Sequence, residues 1–127
     1  MEDDKMENPY LTDYKKFLEE YKKGLTDGER VGEVICRMAQ HFCTANQVYG
    51  KALVAYNRIA SINEQAQDEN TGKSISSAKA TKLSEATTEF EHLTNAKIII
   101  GNVEQIINAL KSLQRGVLRE SSMMNNT

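Results

Sequence analysis

Apolar residues in this chain recur at helical spacing in three runs. The longest unbroken run is Val31, Ile35, Met38, Phe42, Ala45, Tyr49, Ala52, Tyr56 and Ile59, in which gaps of four and three alternate throughout. A period of about 3.5 residues sustained this way predicts a long helix with coiled-coil-like packing. Thr26 or Asp27 can cap its start, and the pattern carries it to about residue 66. Gly32 and Gly50 each weaken such a helix by about 1 kcal/mol relative to Ala, so tertiary packing has to hold it.

A shorter run precedes it. Leu11, Tyr14, Leu18, Tyr21 and Leu25 predict one apolar stripe on a helix that opens at Pro9, with Asn8 as cap, and stops at Gly24. A second long helix is expected to begin near Ser74 or Ser76 and to end near Arg119. Its stripe comprises Leu83, Ala86, Phe90, Leu93, Ala96, Ile100, Val103, Ile107, Leu110 and Val117, and Ile98, Ile99 and Ile106 widen it. The polar stretch QDENTGKS, with turn residues Asn70 and Gly72, places the one long interruption between Gln65 and Ser76.

Two long helices joined by a short loop must run antiparallel. The predicted fold is therefore all-α: an elongated antiparallel helical hairpin with coiled-coil-like packing and a short N-terminal helix. Residues 9–119 form the helical domain, residues 1–8 a disordered acidic start and residues 120–127 a disordered tail. Such a hairpin has little interior of its own. Phe90, Leu93, Ile100, Val103 and Ile107 are accordingly expected to bury themselves partly against a second copy or another helical protein.

Composition narrows the function classes. At 127 residues the chain holds one modest core, and its net charge of −2 predicts no polyanion partner on its own. No apolar stretch is long enough to span a membrane, and the acidic start lacks the basic and apolar pattern of a secretory leader. The expected location is cytoplasmic, with peripheral membrane contact as one option. Cys36 and Cys43, seven apart on one helix, are separated by a rise of about 10 Å, too far for a disulfide between them. They are expected as reduced, partly buried thiols.

Catalytic chemistry finds no foothold. The Gly72-Lys73-Ser74 triplet lacks the upstream glycine of a phosphate loop, Gln67 standing in its place, and no strand precedes it. His41 projects about 140° around the helix from Cys36, so Cys36, His41 and Cys43 cannot converge on a metal. Carboxylate pairs such as Glu19 and Glu20 lie on polar faces. A non-enzymatic protein with no cofactor, metal or small-molecule substrate is expected.

Charge placement is more informative. Arg30, Arg37, Lys51 and Arg58 share one heptad position, with Thr44 completing the series, and no Asp or Glu occurs from residue 34 to residue 63. Lys73, Lys79 and Lys82 follow just past the loop. With no acid inside that stretch to pair with them at four-residue spacing, these cations are expected to form an unpaired positive line. Nucleic acid fits the charge, but aromatic residues do not interleave at base spacing and no recognition motif is present, so no nucleic-acid partner is expected. An anionic phospholipid surface suits the line better, each nearby cation contributing about 1 kcal/mol.

The segment DGERVGEVICRMAQHFCTANQVYGKALVAYNRIA, residues 27–60, resembles the N-terminal part of an F-BAR-type domain of the BAR superfamily. The features concerned are Gly28, a helical stretch, and then Tyr49-Gly50-Lys51-Ala52-Leu53 with Arg58 beyond. EATTEFEHLTNAKIIIGNV, residues 85–103, is loosely similar to the helix that follows in that family. The chain departs from the family in carrying TANQV where a basic and an acidic position are usual, and in being shorter than a complete domain. The resemblance implies a dimeric, curved rod that binds anionic phospholipid and shapes membranes, with Lys51 at the membrane-facing lysine. Two other readings stay open: a coiled-coil adaptor or assembly subunit whose basic line meets another protein's acids, and a small helical secretion or viral chaperone.

Overall fold

The computed structural model describes the backbone of residues 8–125 and the side-chain surroundings of residues 8–120. Four helices follow one another: α1 (Pro9–Lys22), α2 (Gly28–Glu64), α3 (Ser77–Glu85) and α4 (Thr88–Asn125). Among the described residues the fold is all-α, with a single isolated bridge, Gln67 to Ser74, and no strand.

The helix ends follow local chemistry. Asn8 is extended (φ −66°, ψ 137°) and its side chain makes no capping bond, so the expected cap acts through its backbone carbonyl, which accepts from Leu11 N. Gly24, at φ +71°, closes α1: Leu25 N donates to Glu20 O and Gly24 N to Tyr21 O, each at 3.0 Å. That is a Schellman ending, which requires a left-handed residue at this point. Asp27 Oδ1 accepts from Arg30 N at 2.8 Å and caps α2. The long interruption falls at residues 65–76, as expected. Its turn is built on Asp68, whose Oδ1 accepts from Asn70 N and Thr71 N, and on Gly72 at φ +70°.

The second long helix is not continuous. It breaks at Ala86 and Thr87, between α3 and α4. Thr87 Oγ1 donates to Ser84 O at 2.6 Å and accepts from Phe90 N at 3.2 Å, so one hydroxyl both ends α3 and caps α4. Leu83 and Ala86, assigned to the stripe, are exposed. At its other end α4 stays helical to Asn125, beyond the end expected near Arg119, because no Pro or Gly follows Gly116 to stop it. The expectations for residues 1–7 and 126–127 lie outside the described residues.

The chain divides into two compact units. The first comprises Met1–Thr44 and Gly101–Thr127, and the second Ala45–Ile100. In the first, Tyr10 and Phe17 of α1 are buried with Val31, Val34 and Met38 of α2 and Val103 and Leu110 of α4. The α1 stripe thus differs from the expected one: Leu11, Tyr14 and Leu18 are half-buried, while Tyr21 and Leu25 are 46% and 68% exposed. The aromatic pair Tyr10 and Phe17, seven apart, sets the inward line because α1 meets both long helices. Asn102 Nδ2 of α4 donates to Tyr10 Oη, and Asp13 reaches α2. Gly28 lies against Leu118, Gly32 lies against Gln114, and Gln114 Nε2 donates to Gly28 O at 3.1 Å.

The second unit has a core of smaller side chains. Ala45, Ala80, Ser84, Leu93 and Ala96 are buried, and Tyr49, Tyr56, Ile59 and Phe90 are half-buried around them. The Tyr56 and Phe90 rings meet at 5.4 Å between centroids and 50° between planes. Asn63 Nδ2 donates to Ser84 Oγ, which donates onward to Ala80 O. Every residue of the long α2 stripe is buried or half-buried.

Of the residues expected to face a second chain, Leu93 (4% exposed) and Val103 (0%) are sealed by this chain itself. Phe90, Ile100 and Ile107 are half-buried and retain some surface.

Candidate docking face on α2

The seven basic residues singled out by sequence are divided between the two units. Arg30 and Arg37 belong to the first unit, and Lys51, Arg58, Lys73, Lys79 and Lys82 to the second.

In the first unit the expected unpaired line does not hold. Arg30 Nε and Nη2 donate to Glu20 Oε1 and Oε2, both at 2.8 Å, and Nη1 donates to Glu33 at 3.1 Å. Arg37 Nη1 donates to Asp13 Oδ1 at 3.4 Å, and His41 Nε2 donates to Asp13 Oδ2 at 2.6 Å. Sequence reasoning looked for partners on the same helix, at four-residue spacing, and so missed acids supplied by α1. One signal was present: Asp13 and Glu20 are seven apart, the spacing that separates Arg30 from Arg37.

These pairs shift the groups involved. The hydrogen bond from Arg30 holds the Glu20 carboxyl below its usual range, against the opposing effect of burial. The Arg30 guanidinium moves further above its usual value, chiefly because of Glu20. Asp13 is lowered first by the hydrogen bond from His41 and then by the charge of Arg37, with desolvation opposing both. In the second unit Asp68 is lowered mainly by the backbone N–H groups of Asn70 and Thr71.

Lys51 and Arg58 are different. Both are exposed, and neither has a salt bridge among the described residues. Together with Gln47, Gly50, Val54 and Ala55 they line one shallow, open hollow of about 570 Å³. All six residues lie on α2. Gln47, Gly50, Lys51 and Val54 stand at positions i, i+3, i+4 and i+7, and so do Lys51, Val54, Ala55 and Arg58. Four residues in that arrangement form the hole that receives one side chain of a facing helix. Two such holes therefore lie side by side, sharing Lys51 and Val54. A Cβ built on Gly50 would meet nothing within 4 Å, so no internal contact requires a glycine there.

Lys51 also borders a second hollow, with Val48, Ala52 and Ala55 of α2 and Glu89 and His92 of α4. Lys73 sits in the turn and Lys79 and Lys82 on α3, all exposed; neither hollow includes them. The floor residues Gly50 and Ala55 escaped the sequence reading, where Gly50 registered only as a weak point of the helix.

Cys36 and Cys43 are free thiols and are exposed, not partly buried: the α2 stripe faces inward through Val31, Met38 and Ala45, and both cysteines fall off it. Among the described residues no group of three His, Cys, Asp or Glu side chains is placed to hold a metal ion. No helix among them is long and apolar enough to cross a membrane. No family model, curated protein or solved structure matches the chain.

Proposed function

We propose that this chain is a non-enzymatic helical adaptor or assembly module that docks a partner helix on the α2 face carrying Lys51 and Arg58. The observation that carries the reading is the pair of adjoining four-residue holes on that face. A lipid surface has no side chains to place in them, whereas a helix does. Val54, between the two cations, is 60% exposed and supplies apolar area to cover.

The finer architecture belongs to the same proposal. Gly28 beside Leu118 and Gly32 beside Gln114 in the first unit support long helices packed antiparallel. Tyr56 against Phe90 and Asn63 against Ser84 support the same in the second. The half-buried Phe90, Ile100 and Ile107 are where a second copy would add its contacts.

An anionic phospholipid surface is the second reading. It is favoured by the acid-free stretch of α2 from residue 34 to 63, by exposed Lys73, Lys79 and Lys82, and by the F-BAR-like Tyr49–Leu53 segment. With Arg30 and Arg37 tied to acids, Lys51 and Arg58 would contribute about 2 kcal/mol to such attachment, and each of Lys73, Lys79 and Lys82 brought to the same surface about 1 kcal/mol more.

The two readings separate in one experiment. A photo-crosslinking side chain at Val54, in cells, should give a discrete protein adduct that disappears when Lys51→Glu and Arg58→Glu are added. Sedimentation of the parent with phosphatidylserine-rich vesicles, lost in the same double variant and accompanied by no protein adduct, would move the function to the membrane.

A further inference from the structure

The first unit already shows how a cation pair of this kind is met. Asp13 and Glu20 lie seven residues apart on α1, and their carboxylates take Arg37 and Arg30, seven apart on α2. Val34, between those arginines, is 4% exposed, and α1 residues Asp13 and Lys16 share a hollow with it. In the second unit Lys51 and Arg58 repeat the seven-residue spacing on the same helix. There Val54, between them, is 60% exposed, and among the described residues no acid forms an ion pair with either cation.

We propose that the α2 face bearing Lys51 and Arg58 takes an acidic amphipathic helix of a partner protein. That helix carries two carboxylates seven residues apart, and small apolar side chains between them enter the holes floored by Gly50 and Ala55. The inference rests on the reading of this face as a helix-docking surface and adds the chemistry and spacing of its partner. Seven residues span about 10.5 Å on any α-helix, so carboxylates at that interval stay in register with Lys51 and Arg58. Acids five residues apart turn about 140° around their helix and cannot both face the same partner. The Gly50 position leaves room for an incoming side chain, because nothing in the chain occupies it.

The test uses the full chain and two labelled helical peptides of about three heptads each. They have the same composition, Glu and Ala at the facing positions, and differ only in whether the two glutamates stand seven or five residues apart. Fluorescence anisotropy should show binding of the seven-spaced peptide, at least about tenfold weaker for the five-spaced one. Binding should weaken as salt rises from about 50 mM to about 500 mM. Lys51→Glu with Arg58→Glu should abolish it. Gly50→Leu, which fills the hole formed by Gln47, Gly50, Lys51 and Val54 and leaves the charges, should weaken it by at least about tenfold while the helical circular dichroism signal is kept.

Equal binding of the two peptides would overturn the spacing while leaving a basic docking face. Binding of neither peptide, with a Val54 protein adduct still formed, would overturn the acidic-helix partner and leave the adaptor reading. Self-association lost on Lys51→Glu and Arg58→Glu, with no peptide binding, would make a second copy the occupant. Vesicle binding without peptide binding would overturn the inference in favour of lipid.

Discussion

The Arg30 guanidinium holds the Glu20 carboxylate by two parallel hydrogen bonds of 2.8 Å, Nε to Oε1 and Nη2 to Oε2. Both side chains are about three-quarters to two-thirds withdrawn from solvent, with 24% of Glu20 and 33% of Arg30 exposed. The contact fastens α1 to α2 just across the turn at Gly24. A planar fork matched to a carboxylate is geometry that lysine cannot copy. Arg30→Lys should therefore lower the urea midpoint although the charge is kept, and Arg30→Met should lower it further by leaving Glu20 without its donor. An unchanged midpoint for the lysine variant would mean that charge alone holds α1.

Phe17 and Leu25 test which face of α1 is turned inward. Phe17 is 1% exposed and Leu25 68%. Phe17→Ala should cost about 3–5 kcal/mol through lost burial and the cavity left behind. Leu25→Ala should stay within about 0.5 kcal/mol. Denaturant unfolding of the two variants decides it, and comparable losses would restore the stripe through Leu11, Leu18 and Leu25.

The long elements were legible because their pattern is a property of the chain itself. All nine stripe residues of α2 are buried or half-buried, and of the turn residues expected in 65–76 Gly72 takes the left-handed conformation while Asn70 donates its N–H to Asp68, which the sequence did not single out. The break at Thr87 was not legible. Thr87 and Thr88 are poor helix-interior residues and good caps, but the apolar spacing of Leu83, Ala86 and Phe90 runs straight across them, and the hydroxyl bonds to Ser84 O and Phe90 N show the cap. The α1 register was misread because Tyr10 and Phe17 compete with the leucines at nearly the same spacing, and contacts on two long helices choose between them. For the docking face, Lys51 and Arg58 were visible as heptad-spaced cations. Arg37 is paired by Asp13 and Arg30 chiefly by Glu20, both on α1, so periodicity within α2 could not show it.

Asp13 supplies a pH-dependent test of the α1 contact. Its carboxyl lies below the usual value of 3.8, first because His41 donates to Oδ2 at 2.6 Å and then because Arg37 is near. A carboxyl with a folded-state pKa below its unfolded value contributes stability that is fully present above the unfolded value. That contribution is lost as pH falls through the folded one. At neutral pH Asp13→Asn should therefore be less stable than the parent, because the amide keeps one acceptor but loses the charge. As pH falls from about 5 to about 3 the parent should lose stability faster than the variant, and the gap between them should narrow. The variant's curve should still slope, because Glu20 and Asp68 are lowered too and remain in place. Urea midpoints of both proteins across that range measure the gap directly. A gap that stays constant with pH would show that Asp13 stabilises the fold through its shape and hydrogen bonding alone, and that its charge contributes nothing.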